Sequence, residues 1–228
     1  VTYALAYVEG PALASGNSDS TGVVVRGIDE DSLEKLTLLR NASQLGGWDW
    51  WDEGQGIAIG ARLADRLGVT LGDPVTIVNP EGTMTPFGQT PAMRSYPVNV
   101  IFTVGMPEAD NFYIYMPMQA AQVYFKQFTD QLKPGVEMPG VMATDEEIDA
   151  AYERVYSASG VEVFVANPDN IAGMTAQLGA ALERPFNITD WQQRNATFFS
   201  ALQVERVVMF VILTLIIVVA AFNIIASL

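Results

Sequence analysis

The chain ends in an almost wholly apolar run of residues, Val207 to Leu228, which contains no charged side chain. A helix rises about 1.5 Å per residue, so this run would reach about 33 Å, enough to cross a hydrocarbon layer about 30 Å thick. A buried helix of a soluble protein rarely continues so far without a charge, and a signal peptide would lie at the other end of the chain. The run therefore predicts a transmembrane helix over residues 207–228, preceded by a globular part of roughly 200 residues.

The charge balance excludes one class of partner. The chain has 26 acidic and 12 basic residues, for a formal net charge of −14. Nucleic-acid binding depends on clustered Lys and Arg that neutralise phosphates, and this sequence has no such cluster. We therefore expect no nucleic-acid partner, and we expect the acidic globular part to stand away from an anionic bilayer surface.

The residue types that are missing limit the chemistry. The sequence has no His and no Cys, which excludes Ser-His-Asp and Cys-His catalysis, His-containing zinc sites, thiol redox chemistry and disulfides. Its three lysines match no S-x-x-K pattern, and no GxxxxGK[ST] loop is present to bind ATP. We therefore predict no catalytic residue, no metal ligand and no cofactor in this chain, and we expect a partner to supply any ATP hydrolysis.

Strand-like and helix-like patterns alternate along the globular part, which predicts an α+β fold. Strands are predicted at Val23–Arg26, Val75–Val78, Val98–Val104, Phe112–Tyr115 and Val161–Val165. Helices are predicted at Asp31–Leu39, Ala61–Leu67, Met118–Phe125 and Ile171–Leu182.

An acidic insertion is predicted over residues 130–157, with seven acidic and two basic residues. Its Asp145-Glu146-Glu147 cluster lacks the spaced oxygen ligands and the turn glycine of a calcium loop. Carboxylates at a helix N-terminus explain the cluster better. We therefore expect a helix from about Asp145 to Tyr156, capped by Thr144.

A long helix is predicted before the membrane. Thr189-Asp190 is typical of an N-cap, and neither Pro nor Gly occurs from Trp191 to Leu228. The first part, residues 191–206, is predicted to be a stalk that transmits displacement between membrane and domain; the alternative is a simple anchor with a kink near Ser200. Because Arg206 is the only basic residue that flanks the apolar run on the domain side, the positive-inside rule favours a domain outside the cytoplasm.

Three tryptophans lie in the sequence WDWWD, Trp48–Asp52. One interpretation is an exposed patch that contacts lipid or protein. The other is a set of core aromatics at a strand edge, whose indole N–H groups find partners inside the domain.

Three segments resemble the LolC/LolE-type permeases of the lipoprotein-releasing ABC transporter. They are GQGIAIGARLADRLGVTLGDPVTIVNP (Gly54–Pro80), TMTPFGQTPAMRSYPVNVIFTVG (Thr83–Gly105) and the whole of Trp191–Leu228. The first segment is shared with the wider MacB-like and FtsX-like permeases, whereas FFSALQVER running into VAAFNII is more specific.

The resemblance implies a MacB-like periplasmic domain of two α/β lobes over residues 1–190, followed by the stalk helix and the second membrane helix of an inner-membrane permease. The chain begins at Val1 rather than Met and is expected to be an excerpt of a longer protein. Implied partners are a second permease subunit, a cytoplasmic LolD-like ATPase that binds ATP-Mg, a lipoprotein cargo and a soluble LolA-like periplasmic carrier.

A hook loop is predicted over residues 83–94. The segment between its two flanking strands is too long and too rich in proline for a tight hairpin turn, and the prolines stiffen it. The resemblance implies that this loop binds the carrier, with Pro86 and Phe87 at the tip and Arg94 in an adjoining contact pad. The predicted carrier-binding residues are Met84, Thr85, Pro86, Phe87, Gly88, Gln89, Thr90, Pro91 and Arg94. Gln89 and Met93 depart from the family pattern, in which those positions are commonly basic and polar.

An apolar stripe is predicted along the C-terminal helix, and it is interpreted as a path for lipoprotein acyl chains. The residues are Phe198, Phe199, Leu202, Phe210 and Leu213; packing against lipid or neighbouring helices is the alternative. Mechanical transmission is the expected mechanism of the transporter. An FtsX-like transducer that activates a periplasmic hydrolase is the alternative function, and such a transducer would not need the hook.

Overall fold

A computed structural model describes residues 2–51, 54–85, 88–136, 138, 144, 150–166, 171–181, 187–190, 193 and 196–227. At positions 81, 83–85, 88, 89, 171, 172, 197–199 and 227 it describes the backbone alone. The chain divides into two compact units, unit 1 (Val1–Phe164) and unit 2 (Val165–Leu228).

Unit 1 contains ten strands and five helices among its described residues. The strands are β1 (Tyr3–Ser15), β2 (Ser20–Ile28), β3 (Ser43–Gly46), β4 (Ile57–Gly60), β5 (Pro74–Thr85), β6 (Gly88–Phe102), β7 (Tyr113–Pro117), β8 (Phe128–Leu132), β9 (Tyr152–Tyr156) and β10 (Gly160–Phe164). The helices are α1 (Glu30–Lys35), α2 (Thr37–Arg40), α3 (Ala61–Leu67), α4 (Pro107–Phe112) and α5 (Met118–Tyr124). Unit 2 contributes α6 (Ile171–Ala181) and α7 (Ala196–Ser227). The predicted α+β class is confirmed.

Six strands of unit 1 pair into a closed ring. Going round it, β1 pairs with β2, β2 with β7, β7 with β4, β4 with β6, β6 with β5, and β5 with β1 again. Alternate side chains point inward, as on any strand that has one buried face. The inward residues include Val25 on β2, Ile77 on β5 and Met116 on β7, all fully buried.

Two short helices close this core. Leu63 and Leu67 of α3 and Ala121 of α5 pack into the same cluster. The end of α3 follows from its sequence, because Gly68 takes the left-handed conformation (φ +65°) that ends many helices and its N–H bonds back to Ala64 and Asp65. The predicted limits of this helix, Ala61–Leu67, are confirmed.

A second, smaller core lies outside the ring. It contains Ile28, Leu33, Leu39, Trp51 and Phe102, with Trp48 and Trp50 packed against it. The predicted single helix Asp31–Leu39 is wrong, because Leu36 (ψ 62°) breaks it into α1 and α2. Leu33, before the break, and Leu39, after it, are both buried in this core.

The predicted helix from Asp145 to Tyr156 is wrong over its last five residues, which form β9. That strand pairs antiparallel with β8 from Phe128↔Tyr156 to Leu132↔Tyr152. The pair is held by an Asp130–Arg154 ion pair of 2.9 Å, and the Arg154 guanidinium lies 4.2 Å from the Phe128 ring centre. Three of the five residues of YERVY are tyrosine or valine, types that are enriched in strands. The acidic cluster 145–147 and most of its predicted helix lie outside the described residues.

Unit 1 begins and ends at neighbouring points. β10 pairs antiparallel with the first half of β1, from Tyr3↔Phe164 to Tyr7↔Gly160. The backbone N–H of Thr2 donates to the carbonyl of Phe164 at 2.7 Å, and the Tyr3 and Phe164 rings stack with their centres 4.5 Å apart. Within unit 1, the last strand is therefore joined to the first.

Candidate functional site

The predicted hook region forms a β-hairpin made by β5 and β6. The two strands pair from Pro74↔Pro97 to Asn79↔Ala92 and again from Thr83↔Thr90 to Thr85↔Gly88. We call the second part, with the connecting residues 86 and 87, the arm, and the first part the base. The prediction of a connection too long for a tight turn is wrong, because the ladder continues until only two residues remain between the strands.

The base is part of the wall of the ring. Residues 76–78 of β5 also pair with Leu13–Ser15 of β1, and Val75 and Ile77 are fully buried. The Tyr124 hydroxyl donates to the Ala92 carbonyl at 3.4 Å, and the hydroxyls of Thr76 and Ser95 lie 2.6 Å apart. The arm therefore projects from a support that is fixed on several sides.

Two side chains of the base define an exposed contact pad, Met93 and Arg94. The Met93 side chain is 65% exposed, and Arg94 is also exposed. Burial and the neighbouring Tyr96 together raise the pKa of Tyr124 to about 12, against the lowering effect of Arg94. Burial likewise raises the pKa of Tyr96 while Arg94 lowers it. Because the two residues are consecutive on β6, their side chains leave opposite faces of the strand, with Arg94 on the face of Tyr96 and Met93 on the other. The pad thus offers an exposed cation and an exposed thioether, residue types that are enriched at protein interfaces.

The structure describes some of the predicted carrier-binding residues in full, some by their backbone alone and some not at all. Thr90 and Pro91 are exposed, and the backbone of Met84, Thr85, Gly88 and Gln89 lies in the ladder. The predicted tip residues, Pro86 and Phe87, lie outside the described residues. The role of all of them, and of Arg94, in binding a carrier stays a prediction.

The interpretation of Trp48, Trp50 and Trp51 as core aromatics is confirmed for their packing, but only two of the three indole N–H groups find a partner: that of Trp50 is buried without a hydrogen bond among the described residues. Trp51 is 3% exposed and its indole N–H donates to the Ile28 carbonyl at 3.3 Å; that of Trp48 donates to the Arg40 carbonyl at 3.1 Å. The tryptophans lie in the connection between β3 and β4 and pack on the second core. They do not form a separate exposed patch.

A charged cluster that the sequence did not reveal lies on the outer face of β2. The Arg26 guanidinium contacts Glu9 of β1 at 2.6 Å and Glu162 of β10 at 3.3 Å, and its side chain is 12% exposed. It also lies 4.5 Å from the Tyr7 ring centre. Burial lowers the pKa of Arg26, but Glu9 and Glu162 outweigh burial and raise it above the ordinary value. No motif signals this cluster, because its members are far apart in the sequence.

The C-terminal helix α7 is 32 residues long, or about 48 Å. Within it, Ser200–Ala226 is apolar and long enough to cross a membrane, with a mean hydropathy of 3.0. Leu202, Phe210 and Leu213 of the predicted lipid path are exposed on it, and the side chains of Phe198 and Phe199 lie outside the description. The predicted cap is supported, since the Asp190 carboxylate accepts the Gln193 N–H at 2.7 Å. Whether the path contacts lipid stays a prediction.

Among the described residues, no group of three acidic side chains is placed to hold a metal ion. The arrangement of unit 1 offers a surface for binding: an arm on a fixed base, beside an exposed pad.

The fold and the helix together define the class of protein: a mixed α/β domain followed in the chain by a helix that is able to span a membrane. Within that class the chain is similar to "Lipoprotein-releasing system transmembrane protein LolC" of Neisseria meningitidis serogroup B (strain MC58), with 30% identity over 97% of this chain and 48% of the relative. It is 28% identical to LolC of Xylella fastidiosa (strain 9a5c) over 100% of the chain and 48% of that protein. It is 22% identical to the Haemophilus influenzae protein LolE over 97% of the chain and 47% of the relative. The predicted resemblance to the LolC/LolE-type permeases is therefore confirmed.

The chain spans about half the length of the curated relatives it matches. No family model matches it. Among solved structures, the extracellular domain of the ABC-type transporter YknZ from Gram-positive bacteria aligns with a TM-score of 0.42 and 16% identity, over 79% of this chain and 76% of that one. The periplasmic region of MacB from Actinobacillus actinomycetemcomitans aligns with a TM-score of 0.39 and 12% identity, over 79% and 67%.

Proposed function

We propose that this chain is the periplasmic domain and one membrane helix of an ABC transporter permease that releases lipoproteins from the inner membrane. The observation that carries the proposal is the match to LolC, which covers 97% to 100% of this chain and so includes unit 1, the arm and the membrane helix. The chain itself makes and breaks no bond. A partner ATPase binds ATP-Mg and supplies the energy, and a second permease subunit completes the pair.

In this proposal the arm and the contact pad receive the soluble lipoprotein carrier. Met93 and Arg94 are exposed on the base, and Arg94 lies near the paired rings of Tyr96 and Tyr124. A pre-formed hairpin loses little conformational entropy when it binds, which favours its use as a docking element. The exposed cation also stands out on a domain whose chain carries a net charge of −14.

The helix α7 links the two ends of the proposed process. It is about 48 Å long, whereas the hydrocarbon layer takes about 30 Å, so about three turns extend beyond the lipid. Movements of the membrane helices driven by the ATPase would be passed along this extension toward the periplasmic side. The stripe formed by Phe198, Phe199, Leu202, Phe210 and Leu213 would contact the acyl chains of the cargo.

Photocrosslinking tests the carrier-binding part of the proposal. A photoreactive amino acid at Met93 of the full-length permease should form an adduct with purified carrier, and Phe87→Ala should reduce the yield by removing an apolar anchor from the tip. The matched control is the same probe at Leu38, which is 77% exposed on α2, away from the hairpin. Adduct formation at Met93 that is no stronger than at Leu38 would reject the arm as the carrier site.

A further inference from the structure

The β5–β6 ladder is interrupted at one place, between the base and the arm. Asn79 pairs with Ala92 and Thr83 pairs with Thr90. Three residues of β5 (Pro80, Glu81 and Gly82) therefore face a single residue of β6, Pro91. The surplus of two residues is a β-bulge, and a bulged strand bends and twists more strongly at that point.

Proline occurs on both strands at this level. Neither Pro80 nor Pro91 has a backbone N–H, so neither can donate a ladder hydrogen bond. The surplus is an even number of residues, so the inward and outward alternation of side chains is the same on both sides of the bulge.

Gly82 allows the two strands to approach each other at the bulge. Its φ is +25°, outside the range that side chains normally accept. A Cβ built on Gly82 would overlap the carbonyl oxygen of Thr90 and lie 2.7 Å from the Cα of Pro91. Both obstacles are backbone atoms, so no side-chain rotation relieves the overlap. Any other residue at position 82 must therefore push the two strands apart.

The base cannot follow such a change, because it is tied to β1, to Tyr124 and to the buried interior. The arm beyond the bulge has three residue pairs, or about 10 Å of ribbon. A change at the bulge must therefore appear as a change in the direction of the arm.

We propose that the bulge formed by Pro80–Gly82 opposite Pro91 is a positioning element that sets the direction of the arm and so presents the tip to the lipoprotein carrier. This inference rests on the proposed function. Gly82 and Pro91 act through the direction of the ribbon, whether or not they touch the carrier themselves.

The direction of the arm can be measured without any carrier. Spin labels are placed on introduced cysteines at Ser20, beside Ser15 in the wall of the ring, and at Gln89 in the arm. Relative to the labelled parent protein, Gly82→Ala should shift the mean distance by several ångströms or broaden its distribution. Deleting residues 80 and 81 gives a second variant, which removes the surplus without adding a side chain and should also change the distance. Gly105→Ala is the matched control, since Gly105 has φ +79° but nothing within 4 Å of its Cβ position.

Carrier binding is then measured on the same full-length variants, with the thermal stability of unit 1 recorded beside it. Gly82→Ala and the deletion should each weaken carrier binding about tenfold or more, whereas Gly105→Ala should bind as the parent does. An unchanged distance in both variants, or a changed distance with unchanged binding, overturns the positioning role. Lost binding with an unchanged distance overturns it as well. A parent protein that does not bind carrier rejects the proposed function itself, and it does so before any variant is compared.

Discussion

At the scale of single residues, Arg26 shows how a charge is kept inside an acidic domain. Its guanidinium is nearly buried but contacts two carboxylates, Glu9 and Glu162, and a tyrosine ring. A buried charge costs free energy unless it is paired and hydrogen-bonded, and Arg26 satisfies both conditions. The neighbouring Tyr115 experiences the same environment, since burial raises its pKa to about 12 while Arg26 acts in the opposite direction.

The raised pKa of Tyr115 predicts how stability depends on pH. Its ordinary value is 10.0 and its folded value about 12, so the unfolded chain loses this proton first as pH rises. The contribution of Tyr115 to stability is therefore complete below about pH 10 and is lost between about pH 10 and pH 12. The loss lowers the free energy of unfolding of the wild type by up to about 2 kcal/mol, and Tyr115→Phe should not show it. Chemical denaturation across this pH range measures it; equal pH dependence in Tyr115→Phe, wild type and a Leu38→Ala control would contradict the prediction.

At the scale of elements, β10 is the strand through which unit 1 continues into unit 2. Among the described strands it pairs only with β1, over five residues. The Arg26–Glu162 ion pair adds a connection from β10 across β1 to β2. The N–H of Ser159, just before β10, also donates to the Tyr7 carbonyl at 2.9 Å. The Arg26–Glu162 ion pair thus attaches β10 to β2 in addition to its backbone pairing with β1.

Removal of this attachment should loosen β10 selectively. Glu162→Gln and Arg26→Met should speed amide hydrogen exchange of Gly160–Phe164, and Arg26→Met should lower stability by roughly 1–3 kcal/mol because two carboxylates lose their partner. The matched control is Glu34→Gln, which breaks the well-exposed Arg40–Glu34 pair (3.0 Å) and should cost less than about 1 kcal/mol. Equal exchange at β10 in all three variants would show that backbone pairing alone holds the strand.

Local patterns predicted the elements whose limits are set locally. The helix Ala61–Leu67 ends at a glycine that is visible in the sequence, and the alternating pairs Val23/Val25 of β2 and Val75/Ile77 of β5 indicate their buried faces. β1 was missed because Gly10 and Pro11 interrupt its pattern. Gly10 is required there since a Cβ would collide with the Phe125 ring of α5, a contact between segments more than a hundred residues apart. β9 was misread because its partner, β8, lies at the other end of the predicted acidic insertion, so the pairing is not visible in the local pattern.

As with the fold, the sequence predicted the local features of the candidate site but not those that depend on long-range contacts. The chemistry of the hook segment and of Arg94 is visible in the sequence, and Pro91, one of the two prolines of the predicted hook, lies where the ladder is irregular. The bulge itself was not predictable, because it depends on the register of β5 against β6. The support of Arg94 by Tyr124 depends in turn on packing α5 against the base. The Arg26 cluster joins residues 17 and 136 positions apart, so only the folded sheet brings it together.

At the scale of the whole molecule, the proposed topology predicts which parts are accessible from outside the cell's inner membrane. In spheroplasts that display the full-length protein, Leu38→Cys in unit 1 should react with a membrane-impermeant maleimide. Ser227→Cys, at the far end of α7, should react only after permeabilisation, because about 30 Å of hydrocarbon separates the two sides. Labelling is read as a mass shift on a gel. The reverse pattern would place unit 1 in the cytoplasm and reject the proposed location.

The hydrogen bond between Thr2 and Phe164 has a consequence for how such a domain can change over time. Residues 2 and 164 lie side by side, so a chain attached at these two points does not depend on the span of what lies between them. A different domain with equally close ends can be grafted there as a cassette at little cost in loop closure. Exchanging this domain between permeases that have different cargo would therefore show whether unit 1 or the membrane helices determine which carrier is bound.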